Sequence, residues 1–177
     1  MKINVWIAIL VVALVCPGAA GSPVHTVTAG EDGNSLESYI RRVHSPGTHQ
    51  RENNSTLVFF LKFIDFGCSP CLTNFLDFCD TLRSRIVRYG QRDIVLVFER
   101  DQNKESTQAR IMKSWARANN LNYPLYLAPS ELYDENGIGH STAIVLNRHG
   151  TMELFENIPI PAETQRSIIR RLFGSVN

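Results

Sequence analysis

The chain has 177 residues, in which 18 Lys and Arg stand against 17 Asp and Glu, for a formal net charge of +1. This length suits one compact domain. The balanced charge, with no long run of either sign, argues against a nucleic-acid-binding surface and against electrostatic binding to acidic membranes. We therefore expect a single-domain monomer that does not bind nucleic acid.

Residues 1–20 have the three parts of a secretory signal peptide. Lys2 precedes an apolar run over 3–15, and small residues end the segment. We predict cleavage after Ala20 or Gly21, and export to the periplasm or an equivalent compartment. An uncleaved membrane anchor is the alternative.

Cys16, within this segment, has the setting of a lipid-attachment cysteine, but branched Val15 precedes it where lipoprotein signals have a small residue. We therefore do not expect lipoprotein anchoring. Residues 21–34 are rich in Gly, Ser, Thr and Pro without an apolar period, which is typical of a flexible leader. The domain itself is predicted over residues 35–177.

Apolar residues at helical or strand spacing divide the domain into alternating elements. Two continuous apolar runs are typical of strands buried on both faces, and their alternation with helices predicts parallel pairing. The predicted strands cover 55–64, 93–99, 123–127, 142–146 and 151–155, the last two forming a hairpin around a turn at 147–150. The predicted helices cover 35–43, 69–89, 104–119, 129–136 and 161–173.

The helix over 104–119 is expected to bury one apolar face, made of Ile111, Met112, Trp115 and Ala118. The stretch over 121–139 has a short strand, a helical piece and a Gly-rich break. It looks like an insertion before the hairpin.

Cys68 and Cys71 are separated by Ser69 and Pro70 at the predicted junction of a strand and a helix. Two cysteines at this spacing can close a small disulfide ring, and a helix N-terminus stabilises the thiolate of the first. We predict that Cys68 is the nucleophile and Cys71 the resolving thiol, with Pro70 in the first helical turn. This is the chemistry of a redox-active dithiol.

Two other interpretations, in which the cysteine pair has no redox activity, are open. In an oxidising compartment the cysteines can form a static structural disulfide. A zinc site would need a second pair of ligands, and Cys79 stands alone. Apolar neighbours on the same predicted helix indicate that Cys79 is a buried, unreactive thiol.

The predicted elements follow one another in the order strand, Cys68-Ser69-Pro70-Cys71, long helix, strand, helix, hairpin and terminal helix. Over residues 55–173, this order resembles the TlpA/ResA-type thiol-disulfide oxidoreductases of the thioredoxin superfamily. The resemblance implies an α/β thioredoxin-like fold, with a central mixed sheet flanked by helices and an insertion before the terminal hairpin. It implies exchange with protein disulfides or dithiols, recycling by a membrane redox partner, and no required cofactor.

Two positions depart from that family's pattern. Gly67 stands where the family usually has Trp, and Ser141 stands where thioredoxins carry a cis-proline facing the dithiol. Lys62 falls on the position of a buried acid in thioredoxins, so it is a candidate to stabilise the Cys68 thiolate. Asp65 is a candidate proton acceptor for the second cysteine, and it replaces the Thr of peroxiredoxins, a more distant alternative.

The segment His140-Ser141, followed by an apolar run, is similar to the part of Sco-type copper proteins that supplies a histidine opposite two cysteines. That resemblance implies a copper site of Cys68, Cys71 and His140, with a copper-binding chaperone as the alternative function. Copper accepts both thiolate and imidazole ligands. Sco-type proteins have three residues between their cysteines, whereas this chain has two. Without a metal, a protonated His140 near Cys68 would lower the pKa of that thiol.

Overall fold

A computed structural model of the protein describes residues 24–26, 36, 38–40, 55–90, 93–101, 105–147 and 151–174. The predicted signal peptide lies outside the described residues, as do positions 148–150 of the predicted hairpin turn. Within the part of the chain that is described, no helix is both long and apolar enough to cross a lipid bilayer.

Strands and helices alternate along the described chain, as the apolar pattern predicts. Residues 36 and 38–40 are helical. The strands are β1 (Val24–Thr26), β2 (Thr56–Leu61), β3 (Asp93–Glu99), β4 (Leu125–Ala128), β5 (Thr142–Leu146) and β6 (Met152–Asn157). The helices are a 3-10 helix (Phe63–Gly67), α1 (Ser69–Tyr89), α2 (Glu105–Ala118), α3 (Ser130–Glu135) and α4 (Ala162–Phe173).

The strands form one mixed sheet in the order β1-β4-β3-β2-β5-β6. The β1–β4, β3–β4 and β2–β3 pairs are parallel, whereas β2–β5 and β5–β6 are antiparallel. Parallel pairing of β2 with β3 follows from the helix between them, because that connection brings the chain back to the same edge. The sheet agrees with the predicted α/β fold.

Both faces of the central strand β2 are covered, as its continuous apolar sequence predicts. Leu57 and Phe59 face a core shared with α1, α2 and α4, whereas Val58 and Phe60 face a second core. The second core includes the apolar side chains Leu36, Tyr39 and Ile40, and apolar side chains of α3. Alternation along β2 therefore assigns each neighbouring element to one side of the sheet.

Strand β2 is shorter than predicted. The apolar run reaches Ile64, but the strand ends at Leu61. The backbone N–H of Lys62 donates to the Ser141 hydroxyl at 2.8 Å, and the N–H of Asp65 turns back to the Lys62 carbonyl at 3.1 Å. These bonds replace the strand with the 3-10 helix, a change that apolarity alone does not reveal.

Two predicted segments are more integrated into the sheet than their sequences indicate. The predicted leader contains β1, which pairs in parallel with β4. Three residues are too few to show a strand period, although Val and Thr are good strand formers. The predicted insertion over 121–139 supplies β4 itself, which joins β1 to β3, and the helix α3.

Helix α2 is rotated relative to the prediction. Met112 and Ala116 are buried, whereas Ile111 is 53% exposed and Ala118 is exposed. Trp115 is half-buried and packs against aromatic side chains near the end of β2. The helical period fixes which residues share a face, but the packing of the partner elements decides which face is buried.

Candidate functional site

The predicted dithiol lies where the chain passes from β2 into α1. The 3-10 helix ends at Gly67, and Cys68 is the N-cap residue of α1, with φ −85° and ψ 103°. Pro70 lies in the first turn, where its missing N–H costs no helical hydrogen bond. The Cys68 side chain does not cap the helix with a hydrogen bond that meets the usual distance and angle limits.

Cys68 and Cys71 are free thiols, the first exposed and the second half-buried. A hydrogen bond from the Cys71 thiol lowers the pKa of Cys68, and the nearby Cys71 backbone N–H acts in the same direction. The same pairing raises the pKa of Cys71, which therefore keeps its proton. The attacking form of a cysteine is its thiolate. This asymmetry suits a nucleophile at Cys68 and a resolving thiol at Cys71.

Asp65 connects the turn before the dithiol with the loop before β5. Its carboxylate accepts a hydrogen bond from the Ser141 backbone N–H at 2.5 Å and lies 3.5 Å from Nδ1 of His140. Burial alone would raise the pKa of Asp65, but the hydrogen bonds from Ser141 and His140 outweigh burial and lower it. The ionised carboxylate adds to the rise in the pKa of Cys71 and partly opposes the lowering of the pKa of Cys68.

Ser141 is fully buried and bonded on several sides. Its hydroxyl accepts the Lys62 N–H at 2.8 Å and donates to the Lys62 carbonyl at 3.3 Å. Its carbonyl accepts the Ile158 N–H at 2.8 Å. A hydroxyl therefore fixes this loop at the position where the resembled family carries a proline.

The His140 side chain is 71% exposed and pairs with Asp65. A copper site of the Sco type would need His140 to converge with Cys68 and Cys71. Among the described residues, no three or more His, Cys, Asp or Glu side chains come together in a group that could hold a metal ion. The predicted ligands therefore do not fit a preformed copper site.

Lys62 lies away from the dithiol. Its Nζ is 3.6 Å from Oε2 of Glu99 and 5.3 Å from the ring centre of Tyr133. Tyr133 belongs to the second core, across the sheet from α1. Lys62 is not among the groups that shift the pKa of Cys68. The structure therefore does not bring Lys62 to the thiolate that it was expected to stabilise.

Cys79 is 1% exposed and lies in the core beneath α1. Burial in apolar surroundings raises the pKa of Cys79 far above that of a free thiol. Both observations agree with the inert thiol that its apolar neighbours predict.

An aromatic layer beneath the site was not predicted from the sequence. Phe66 stacks on Trp115 with ring centres 5.3 Å apart, and Phe63 stacks on Phe98 at 5.0 Å. Phe75 of α1 also belongs to this layer, with its ring centre 5.7 Å from that of Phe66. The run of Phe residues before Cys68 was the available signal, but it also fits a longer strand.

The chain matches no protein-family model and no curated protein sequence. Among solved structures, a thiol-disulfide isomerase from Corynebacterium glutamicum matches with a TM-score of 0.52 at 12% identity, over 76% of this chain and 91% of that one. The fold is thioredoxin-like.

Two further solved structures match less well. StoA from Bacillus subtilis matches at 24% identity with a TM-score of 0.41, over 67% of this chain and 84% of that one. A thiol:disulfide interchange protein of the thioredoxin family from Chlorobium tepidum matches at 18% identity with a TM-score of 0.48, over 67% and 79%.

Proposed function

We propose that this protein is an exported thiol-disulfide oxidoreductase of the TlpA/ResA-like kind, which exchanges a Cys68–Cys71 disulfide with partner proteins. The observation that carries the proposal is the placement of two free thiols at the start of α1: the exposed Cys68 is the N-cap residue and the half-buried Cys71 lies in the first turn. Their pairing lowers the pKa of Cys68 and raises the pKa of Cys71. Export is supported by the signal-like residues 1–20.

In the reducing direction, the Cys68 thiolate attacks one sulfur of a partner disulfide. A Cys68–partner disulfide forms and the partner's other sulfur leaves as a thiolate. Cys71 then loses its proton and attacks the Cys68 sulfur, which releases the second partner thiolate and leaves a Cys68–Cys71 disulfide. The partner gains two electrons and the dithiol loses two. Asp65 is the carboxylate proposed to accept the Cys71 proton, since its charge already acts on that thiol.

The test is the reduction of a disulfide-bonded polypeptide such as insulin, with dithiothreitol to regenerate the protein. We expect the wild-type protein to accelerate reduction, and both Cys68→Ser and Cys71→Ser to abolish the acceleration. The matched variant Cys79→Ala should keep it, because Cys79 is buried away from the surface. Loss of acceleration in Cys79→Ala alone would contradict the assignment.

The copper-chaperone alternative is separated by loading the reduced protein with cuprous ion. The dithiol proposal predicts no tight equimolar binding that depends on His140, because that side chain pairs with Asp65. Tight equimolar binding that is lost in His140→Ala would favour the chaperone.

A further inference from the structure

Seven of the 18 Lys and Arg residues lie in two segments that contain no acidic residue. Residues 81–92 hold four arginines and include the end of α1, and residues 164–177 hold three and include the end of α4. The net charge of the chain does not reveal this concentration, because it sums over all residues. All seven are Arg and none is Lys, and the planar guanidinium group pairs well with the oxygens of phosphate and carboxylate groups.

Helices α1 and α4 run side by side in the same direction. Near their starts, the Asn74 side chain exchanges two hydrogen bonds with the backbone of Ile160, just before α4. Near their ends, the ring centres of Tyr89 and Phe173 lie 6.2 Å apart. The two helix ends therefore meet. They lie at the other end of α1 from Cys68, about 30 Å away, because a helix rises about 1.5 Å per residue.

Four of the arginines lie around this ring contact. The guanidinium carbons of Arg85 and Arg88 are 5.9 Å and 5.2 Å from the centre of the Tyr89 ring. On α4, Arg166 and Arg170 precede Phe173 by seven and three residues, a spacing that places all three on one helix face. Arg85 is half-buried and the other three arginines are exposed. We call Arg85, Arg88, Arg166 and Arg170 the arginine cluster.

The described residues do not neutralise the arginine cluster. The neighbouring Arg83 pairs with Asp80, and Arg171 pairs with Glu153 of β6. No described carboxylate lies within ion-pair distance of the four cluster side chains. The C-terminus of each helix carries about half a negative charge, so the two together offset about one of the four positive charges. Glu163, in the first turn of α4, offsets at most one more, and net positive charge remains.

The cluster also offers hydrogen-bond donors and no acceptor. Guanidinium groups only donate. The Tyr89 hydroxyl between them is buried and has no hydrogen-bond partner among the described residues. A fitting ligand is therefore an anion with several acceptor oxygens.

We propose that the arginine cluster binds the phosphate groups of an anionic phospholipid bilayer. The cluster spans two helices, whose axes pack about 8–10 Å apart, and it extends about 6 Å along α4. This spread of positive charge matches the laterally spaced phosphates of a bilayer better than a single phosphate ion. Binding at this end leaves Cys68, at the other end of α1, open to partner proteins. It is independent of disulfide exchange at the dithiol.

The test is co-sedimentation of the protein with vesicles of phosphatidylcholine, or of an equal mixture of phosphatidylcholine and phosphatidylglycerol. The measured quantity is the ratio of the two binding constants, in which apolar binding common to both vesicles cancels. We expect the wild type to prefer the mixed vesicles, and the ratio to fall about thirtyfold in Arg166→Gln/Arg170→Gln, which is about 1 kcal/mol for each arginine near an anionic surface.

The control is Arg110→Gln/Arg117→Gln, which removes the same charge from exposed positions on α2. Arg117, like Arg170, lies in the last turn of its helix, so the control also covers the effect of a helix C-terminus. The control should change the ratio by less than about threefold, since screened charges away from the contact contribute little. Both double variants should still reduce insulin in solution if the wild type does.

Three results would overturn the inference. The first is equal binding of the wild type to both kinds of vesicle. The second is an equal fall of the ratio in the two double variants, which would show a response to net charge alone. The third is binding of soluble polyglutamate or inorganic phosphate, dependent on Arg166 and Arg170, without a preference for the mixed vesicles. That result would identify an acidic polypeptide or a free phosphate ion as the ligand.

Discussion

The Ser141 hydroxyl bonds to both polar groups of the Lys62 backbone. It accepts the N–H at 2.8 Å and donates to the carbonyl at 3.3 Å. The two residues are 79 positions apart in the chain. Because the Lys62 carbonyl also accepts the Asp65 N–H that begins the 3-10 helix, this contact fixes the turn leading to Cys68. A residue of the loop before β5 thereby fixes the backbone turn that leads to the dithiol.

Removing this hydroxyl should destabilise the fold. In Ser141→Ala the part-buried Lys62 N–H loses its acceptor, and we expect the free energy of unfolding in urea to fall by about 1–3 kcal/mol. Ser84→Ala is the control, because that hydroxyl is exposed and bonds only to the Asp80 carbonyl of its own helix. The control should change stability by less than about 0.5 kcal/mol. Equal effects of the two variants would refute the role assigned to Ser141.

The pKa of Cys68 should depend on its neighbour in the helix. Hydrogen bonding from the Cys71 thiol is the largest cause of the lowered Cys68 pKa, so Cys71→Ala should raise that pKa. Alkylation of Cys68 near neutral pH should then slow, because less thiolate is present. The measurement is the pH profile of the alkylation rate. A profile that is unshifted in Cys71→Ala would count against the coupling.

Neutralising Asp65 should have the opposite effect. Its carboxylate raises the pKa of both thiols, so Asp65→Asn should lower the Cys68 pKa and move the alkylation profile to lower pH. A more stable thiolate stabilises the reduced dithiol, so titration against glutathione should show a more oxidising pair. Asp77→Asn, exposed on α1, serves as the control. A Cys68 pKa that rises in Asp65→Asn would show that the carboxylate acts differently.

The Cys79 thiol should not react with alkylating reagents in the native protein. Its thiol is buried and its pKa is raised, so alkylation at pH 8 should modify Cys68 and Cys71 and spare Cys79. Cys79 should react only as the protein unfolds in urea, at the midpoint seen by circular dichroism. Peptide mapping identifies the modified residue. Modification of Cys79 at the rate of Cys71 in the native state would contradict its burial.

Local patterns were enough to predict the helix that begins at the dithiol and the strand that follows it. The spacing of apolar residues gives α1 from Ser69 to Tyr89 and β3 from Asp93 to Glu99 with the bounds that the structure has. Both elements are long and strongly patterned, so neighbours in sequence determine them. The junction that places Cys68 at a helix start follows from the same signal.

The surroundings of the dithiol were not predictable in this way. The family resemblance placed Lys62 beside Cys68, but the two sides of β2 face different cores, and Lys62 lies with Tyr133 on the far side. Ile111 was placed in the core because a helical period cannot say which face is covered. The Ser141 bonds join segments that only the folded chain brings together. Long-range contacts therefore decide the chemistry of a site whose position is locally encoded.

The most direct test of the central claim is to trap the mixed disulfide. In Cys71→Ser the resolving thiol is gone, so attack by Cys68 on a disulfide-bonded polypeptide should stop at a covalent adduct. We predict one adduct per protein, located at Cys68 by mass spectrometry of the non-reduced digest and absent in Cys68→Ser. An adduct at Cys79, or none under conditions in which the wild-type protein becomes oxidised, would contradict the assignment of Cys68 as the nucleophile.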